Sequence, residues 1–339
     1  MQPARPDACR IPFAMAPLIA AVFALIACDP ASVAQRPITP QVVWGETGDR
    51  PGQFFYPRAL DADREGRIWI IDKTARVQAL DPDTGDPLFT WRMPNYQLGK
   101  PTGMTFAPGP DGRELLYIAD THYHRVMVYR TPTTPGQREQ LVASFGSYGD
   151  QPGQFIYPTD VAVLTDQQTG LPTRIYVSEY GGNDRISVFD PDYNFLFAFG
   201  SPGSSADPVS IEFNRPQSIA IDTRARQLVV VDSCNHRIGR FTLDGELLAW
   251  FGAHGSEVGG FNYPFGLHLL GDGTALVTEF GNHRLQRVDL ASGRSIATLG
   301  REGSGHGELR APWAVTTIGT RAYVLDSGNN RVIGFKRPG

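Results

Sequence analysis

Six carboxylates in this chain each precede an arginine by a short polar loop: Asp72 and Arg76, Asp120 and Arg125, Glu179 and Arg185, Asp232 and Arg237, Glu279 and Arg284, Asp326 and Arg331. His124, His236 and His283 stand directly before three of those arginines. Oxygen ligands suit calcium and imidazoles suit zinc, so converging acids or histidines would be metal chemistry. The spacing argues against convergence. The acid-to-acid intervals are 48, 59, 53, 47 and 47 residues, long enough for a whole supersecondary unit. A residue type that recurs once per unit lies at one radius in successive sectors, and such residues share an ion only if that radius is small. Each acid is therefore expected to accept backbone N–H groups of its loop and to pair with its arginine, fixing a turn.

The elements around the pairs repeat as well. Five copies carry an aromatic residue or leucine before glycine, then a glycine-rich loop, then proline: WGETGDRPGQFFYP (44–57), FGSYGDQPGQFIYP (145–158), FGSPGSSADPVSIEFNRP (199–216), FGAHGSEVGGFNYP (251–264) and LGREGSGHGELRAP (299–312). The second copy is degenerate, TWRMPNYQLGKP (90–101). Each unit reads as four short strands separated by turns. Four such strands cannot bury both faces alone, which predicts an all-β, six-bladed β-propeller of four-stranded antiparallel blades. Glycine (37) and proline (27) together exceed the roughly 12% of average usage, as many tight turns require. The segment Gln41–Gly45 has the pattern of an outermost strand with no blade before it, and the last blade, ending in Val332–Phe335, lacks one. The N-terminal strand is expected to close that blade and remove the open edges.

The triplets Asn235-His236-Arg237, Asn282-His283-Arg284 and Asn329-Asn330-Arg331, with the leading GDRPGQFFYP, resemble NHL repeats over about residues 41 to 336. In the amidating-lyase branch that the resemblance brings in, cavity histidines hold zinc. The matching positions here, after each loop proline, read Arg58, Thr102, Thr159, Gln217, Phe265 and Trp313, followed by Ala59, Gly103, Asp160, Ser218, Gly266 and Ala314. None is histidine, and His268 is a lone histidine farther along an inner strand. No metal and no cofactor is expected, with a channel metal as the minority reading.

In a four-stranded meander the proline-led loops and the acid-to-arginine loops fall on one face. That face would carry Tyr56, His122, Tyr123, Tyr148, Tyr157, Tyr180, Tyr263 and Phe280, the aromatic and polar types common at interfaces and pockets. Tyr56, Tyr157 and Tyr263 precede prolines and are read as loop packing. The non-repeated His122, Tyr123, Tyr148, Tyr180 and Phe280, together with Arg58, Asp160, Gln217 and Trp313 at the cavity mouth, are the candidate binding residues.

Arg5 and Arg10 precede an apolar run, residues 11–27, that ends in Leu25-Ile26-Ala27-Cys28. It resembles a bacterial lipoprotein signal with lipidation at Cys28; an uncleaved anchor and an ordinary secretory signal are the alternatives. Asp29 resembles an inner-membrane retention signal. The domain reading is a signal peptide at 1–27, a tether at 28–40 and a propeller at 41–339. Cys234 is then the one thiol left, read as a small loop residue. The chain's formal net charge is -4, without the basic face that nucleic acid needs. These features predict a monomer, lipid-anchored on the exported side of the inner membrane in a bacterial cell envelope. Its loop face would bind a protein, peptide or envelope ligand without catalysis. The alternative is a propeller lyase or lactonase-like hydrolase with a metal in the central channel.

Overall fold

The structure, a computed structural model, describes residues 34–205 and 207–338. It is an all-β six-bladed propeller, with six four-stranded antiparallel sheets. The inner strands are Pro57–Ala62, Gly103–Pro108, Tyr157–Thr165, Pro216–Asp222, Pro264–Leu269 and Ala314–Ile318. Middle strands such as Ile68–Asp72 are buried throughout, because a neighbouring blade covers each face. Outer strands such as Leu247–Phe251 are only partly covered. Six apolar clusters fill the interfaces between successive blades.

The N-terminal strand Pro40–Trp44 closes the last blade as expected, running antiparallel to Arg331–Lys336 with Trp44 opposite Val332. Trp44 and Phe54 then pack in one cluster with Trp313, Tyr323 and Leu325. The residues just before this strand, at the end of the expected tether, contact blade five. Arg36 lies parallel to Leu299; its N–H donates to the Thr298 carbonyl at 2.8 Å and its own carbonyl accepts from Gly300 at 2.9 Å. Ile38 is buried in the cluster between blades five and six. The lead-in thus seats on blade five before it completes blade six, because a buried isoleucine and an unpaired outer edge are both available to it. The signal segment and Cys28 lie outside the described residues.

All six acid–arginine pairs are ion pairs, at 2.5–2.9 Å, and every acid is buried. The acid reaches beyond its own short loop to the glycine-rich loop that enters the blade. Asp232, Glu179, Glu279 and Asp326 accept the N–H of Asn214, Ile156, Asn262 and Arg310, each two residues before the proline. The arginine holds the same loop from the other side: Arg284 donates to the carbonyls of Ser256, Glu257 and Gly260, and Arg331 to those of Ser304, Gly305 and Glu308. Each such loop plugs the blade interface with one apolar residue, Phe54, Phe155, Phe213, Phe261 or Leu309, all 0% exposed. Gly146 shows why glycine precedes the loop: its φ is +90°, and an added Cβ would lie 2.4 Å from the Phe155 ring. Blade two has no such loop, and there Nη2 of Arg125 is buried without a partner. Removing one member of a buried pair strands the other, so Arg237→Ala should cost about 3 kcal/mol of stability. Arg125→Ala should cost clearly less, because Arg125 organises no loop. Denaturant titration of both variants checks this, and equal losses would refute the loop-organising role.

Two further carboxylates tie inner strand to inner strand. Asp61 accepts the N–H of Phe106, in the next blade, at 2.9 Å. Asp160 accepts the Ser218 hydroxyl at 2.7 Å and the Ile219 N–H at 3.0 Å, again in the next blade. Burial pushes Asp160 up to about 7, against its hydrogen bonds and with the charge of Asp61 adding to the rise, and burial pushes Asp61 up to about 6. The unfolded chain releases such a proton near ~4. Between that value and the folded one the native state binds more protons, so this contribution to stability is present at low pH and is lost as pH rises toward about 7. Melting temperatures at about pH 5 and pH 8 should therefore show a loss on the alkaline side that Asp160→Asn reduces. An unchanged gap in the variant would show that Asp160 ionises as an ordinary carboxyl.

Candidate functional site

The loops on the face that carries the prolines converge on the mouth of the central channel. The residue before proline is left-handed at Tyr56 (φ 50°), Arg215 (φ 60°) and Tyr263 (φ 47°), a conformation costly for a non-glycine residue. A hydrogen bond from the preceding blade holds each of the three. The Tyr56 N–H donates to Asn330 Oδ1 at 2.6 Å, that of Arg215 to Asp184 Oδ1 at 2.6 Å, and that of Tyr263 to His236 Nδ1 at 3.1 Å. These residues and their neighbours line a cup of about 510 Å3 formed by Tyr56, Arg58, Lys73, Arg215, Tyr263, Phe265, Phe280 and Trp313.

The cup is aromatic and cationic. Phe265 stacks on Phe280 with centroids 4.8 Å apart, and Trp313 meets Phe265 edge-on at 4.8 Å. Tyr56 meets Trp313 edge-on at 5.9 Å. The Arg58 guanidinium lies 5.0 Å from the Trp313 ring, and that of Arg215 lies 5.0 Å from Tyr180 and 5.1 Å from Phe265, within cation–π range. Burial, and the nearby charge of Arg215, lower the Arg58 pKa, with Tyr56 opposing; burial raises Tyr56. Below the cup, all six inner strands line a channel space of about 340 Å3 that shares Arg58, Phe265 and Trp313.

The candidate residues from the sequence divide between three places. Arg58, Trp313 and Phe280 form the cup, and Tyr180 backs it through Arg215. Gln217 is buried beneath, accepting from Arg215 Nε at 2.9 Å. Asp160 is in the channel wall with both oxygens engaged, Oδ1 by the Val161 N–H of its own strand and Oδ2 by Ser218 and Ile219 across the blade junction. His122 lies against Tyr157, 5.5 Å between centroids, and Tyr157 against Tyr180 at 5.2 Å, so this group borders the cup. Tyr123 and Tyr148 do not join it. The Tyr123 hydroxyl accepts from the Leu98 N–H, and Tyr148, 68% exposed, lies against His124. The sequence reading missed Arg215 and Lys73, and Tyr56 and Tyr263, read as loop packing, line the cup as well. For Arg215 the signal was there, since blade four places arginine before its proline where three other blades place tyrosine.

Three of the histidines are engaged within the fold. His236 and His283 use Nδ1 to accept the N–H of Tyr263 and Ala311 in the next blade, which fixes them as links between blades. His268 is partly buried, paired with Thr317 Oγ1 at 2.8 Å, and loss of solvent around it lowers it to about 4. Among the described residues no three histidine, cysteine, aspartate or glutamate side chains are grouped to hold an ion.

Known proteins share the repeat and the architecture. The NHL repeat family profile matches residues 213–241, the blade-four stretch that holds the Asp232–Arg237 pair. Human NHL repeat-containing protein 3 is 30% identical over 163 residues, 47% of this chain and 43% of that protein; the chain thus matches less than half of its relative's length. Mouse peptidyl-glycine alpha-amidating monooxygenase is 32% identical over 128 residues, 38% of this chain and 12% of that protein. Virginiamycin B lyase from Staphylococcus aureus superimposes with a TM-score of 0.55 at 14% identity, covering 91% of this chain and 98% of that one, a likeness of fold. With the repeated Asn-Xaa-Arg loops and the closed ring of blades, these matches describe a six-bladed β-propeller that carries an NHL repeat at residues 213–241 and is similar to NHL repeat-containing proteins.

Proposed function

We propose that this propeller is a non-catalytic binding module that takes a protein or peptide segment on its loop face, centred on the cup. The observation that carries the reading is the cup itself: rings and cations gathered at the channel mouth, while the acids and histidines that might do chemistry are spent inside the fold. Rings with polar tips and arginines are the residues that dominate binding energy at interfaces. Tyr56, a titratable ring of the cup, is raised by burial and so is poorly suited to act as a base near neutral pH. Similarity to the amidating monooxygenase, whose name specifies a peptidyl substrate, agrees with a peptide as ligand class.

Peptides selected from a random displayed library on the immobilised protein should bind wild type and weaken by about tenfold or more on Phe280→Ala and on Tyr180→Ala, with melting temperature little changed. A failure to enrich peptides, or peptides indifferent to both substitutions, would overturn the assignment.

The reading includes an exported, lipid-anchored location, supported by the Leu25-Ile26-Ala27-Cys28 run. Expressed in a bacterial host, the chain should begin at a modified Cys28 by mass spectrometry of the membrane fraction, and Cys28→Ser should abolish the modification. A mature N-terminus elsewhere would remove the anchor from the proposal and leave the binding face untouched.

A further inference from the structure

The blade arginines and the two arginines of the cup differ in their partners. The six blade arginines each have a carboxylate within 2.9 Å. Arg58 and Arg215 have none: among the described residues neither forms an ion pair. Arg58 makes no hydrogen bond there, and its Nε is buried without a partner. Arg215 spends only Nε, on the neutral Gln217. The nearby Asp184 accepts the Arg215 backbone N–H and does not pair with its guanidinium. The two cations are close enough for each charge to bear on the other, and Lys73 adds a third at the rim. Rings face both guanidiniums, and a ring face offsets only part of the cost of holding like charges together away from water.

We infer that the cup is an anion site: it receives an organic acid, a carboxylate or a phosphate monoester, between Arg58 and Arg215, with the acid's apolar body against Trp313, Phe265 and Phe280. This rests on the loop face being the binding face and names the chemistry recognised there. An arginine fork takes either anion through paired N–H donors, and the terminal nitrogens of Arg58 and Arg215 have no partner among the described residues. A volume of about 510 Å3 lies within the range of small-ligand pockets, roughly 300–1,000 Å3. A segment of protein would satisfy the same chemistry by presenting an acidic group beside an apolar side chain.

Calorimetric titration of the full chain at low salt with N-acetylphenylalanine, with its neutral amide and with phenyl phosphate tests the inference. The acid should bind at least about tenfold more tightly than the amide, a near-isostere in which an NH2 donor replaces one carboxylate oxygen and the charge is lost. Arg58→Gln and Arg215→Gln should each remove that advantage while leaving the weak binding of the amide in place. Tighter binding of phenyl phosphate with the same dependence on both arginines supports the anion site and assigns it to phosphate monoesters. Equal affinity for acid and amide, no binding by either anion, or anion binding indifferent to both substitutions overturns it. Should a glutamine variant fail to fold, Arg58→Lys and Arg215→Lys keep the charge but lose the fork, and must then weaken the anion relative to the amide. Displayed peptides that depend on Phe280 but not on Arg58 or Arg215 would leave the binding face intact and refute the anion chemistry alone.

Discussion

The fold depends on a buried carboxylate that cannot be satisfied inside its own blade strand. An ion taken out of water must recover several kcal/mol from partners or neutralise. Here each acid finds an arginine next to it, and in five blades the pair then uses its remaining capacity on the main chain of a glycine-rich loop. The loop is thereby held over the blade, its phenylalanine or leucine is pressed into the junction with the blade before it, and the chain enters the inner strand at a set height. The ring's mouth is the sum of those entries. Blade two shows the converse, with a shorter loop and an arginine, Arg125, that bonds Asp120 and no loop carbonyl.

Repetition also explains why the site looks unlike the scaffold around it. Where one residue type recurs in each blade, its surroundings recur too, and its hydrogen-bonding capacity is consumed at the junction. His236 and His283 are instances: they look like ligands in sequence and serve as acceptors for the next blade's backbone. Residues that interrupt the pattern meet no such prearranged partner. Arg58 and Arg215 interrupt it, and they reach the mouth with their charge uncompensated.

Much of the architecture was legible because strand alternation and repeat spacing are local signals. The blade count, the four-stranded sheets and the closing strand all followed from the intervals between Asp72 and Asp326 and from the unmatched Gln41–Gly45 segment. What was not legible depended on curvature and on contacts between blades. Nothing local says that Ile38 drops into the junction of blades five and six, or that Asp160 spends both oxygens within the channel wall. The site was partly visible: Arg58, Trp313, Tyr180 and Phe280 were named from their positions, whereas Tyr123 and Tyr148 satisfied the same rule and lie away from the cup. The rule places a residue on a face, and the distance from the axis is set by the twist of the blade.

Closure by the first strand has a bearing on synthesis. Trp44 emerges early and its partner Val332 follows after ~290 residues, a separation that makes the contact late and entropically demanding. Until then the strand and the apolar side chains of the last junction have no native counterpart. A nascent propeller of this kind is a spiral with two sticky ends, and its vulnerability to association is greatest just before the final strand arrives. The hold of Arg36 and Ile38 on blade five offers the waiting strand a place to dock once that blade exists, one blade ahead of the partner it finally needs.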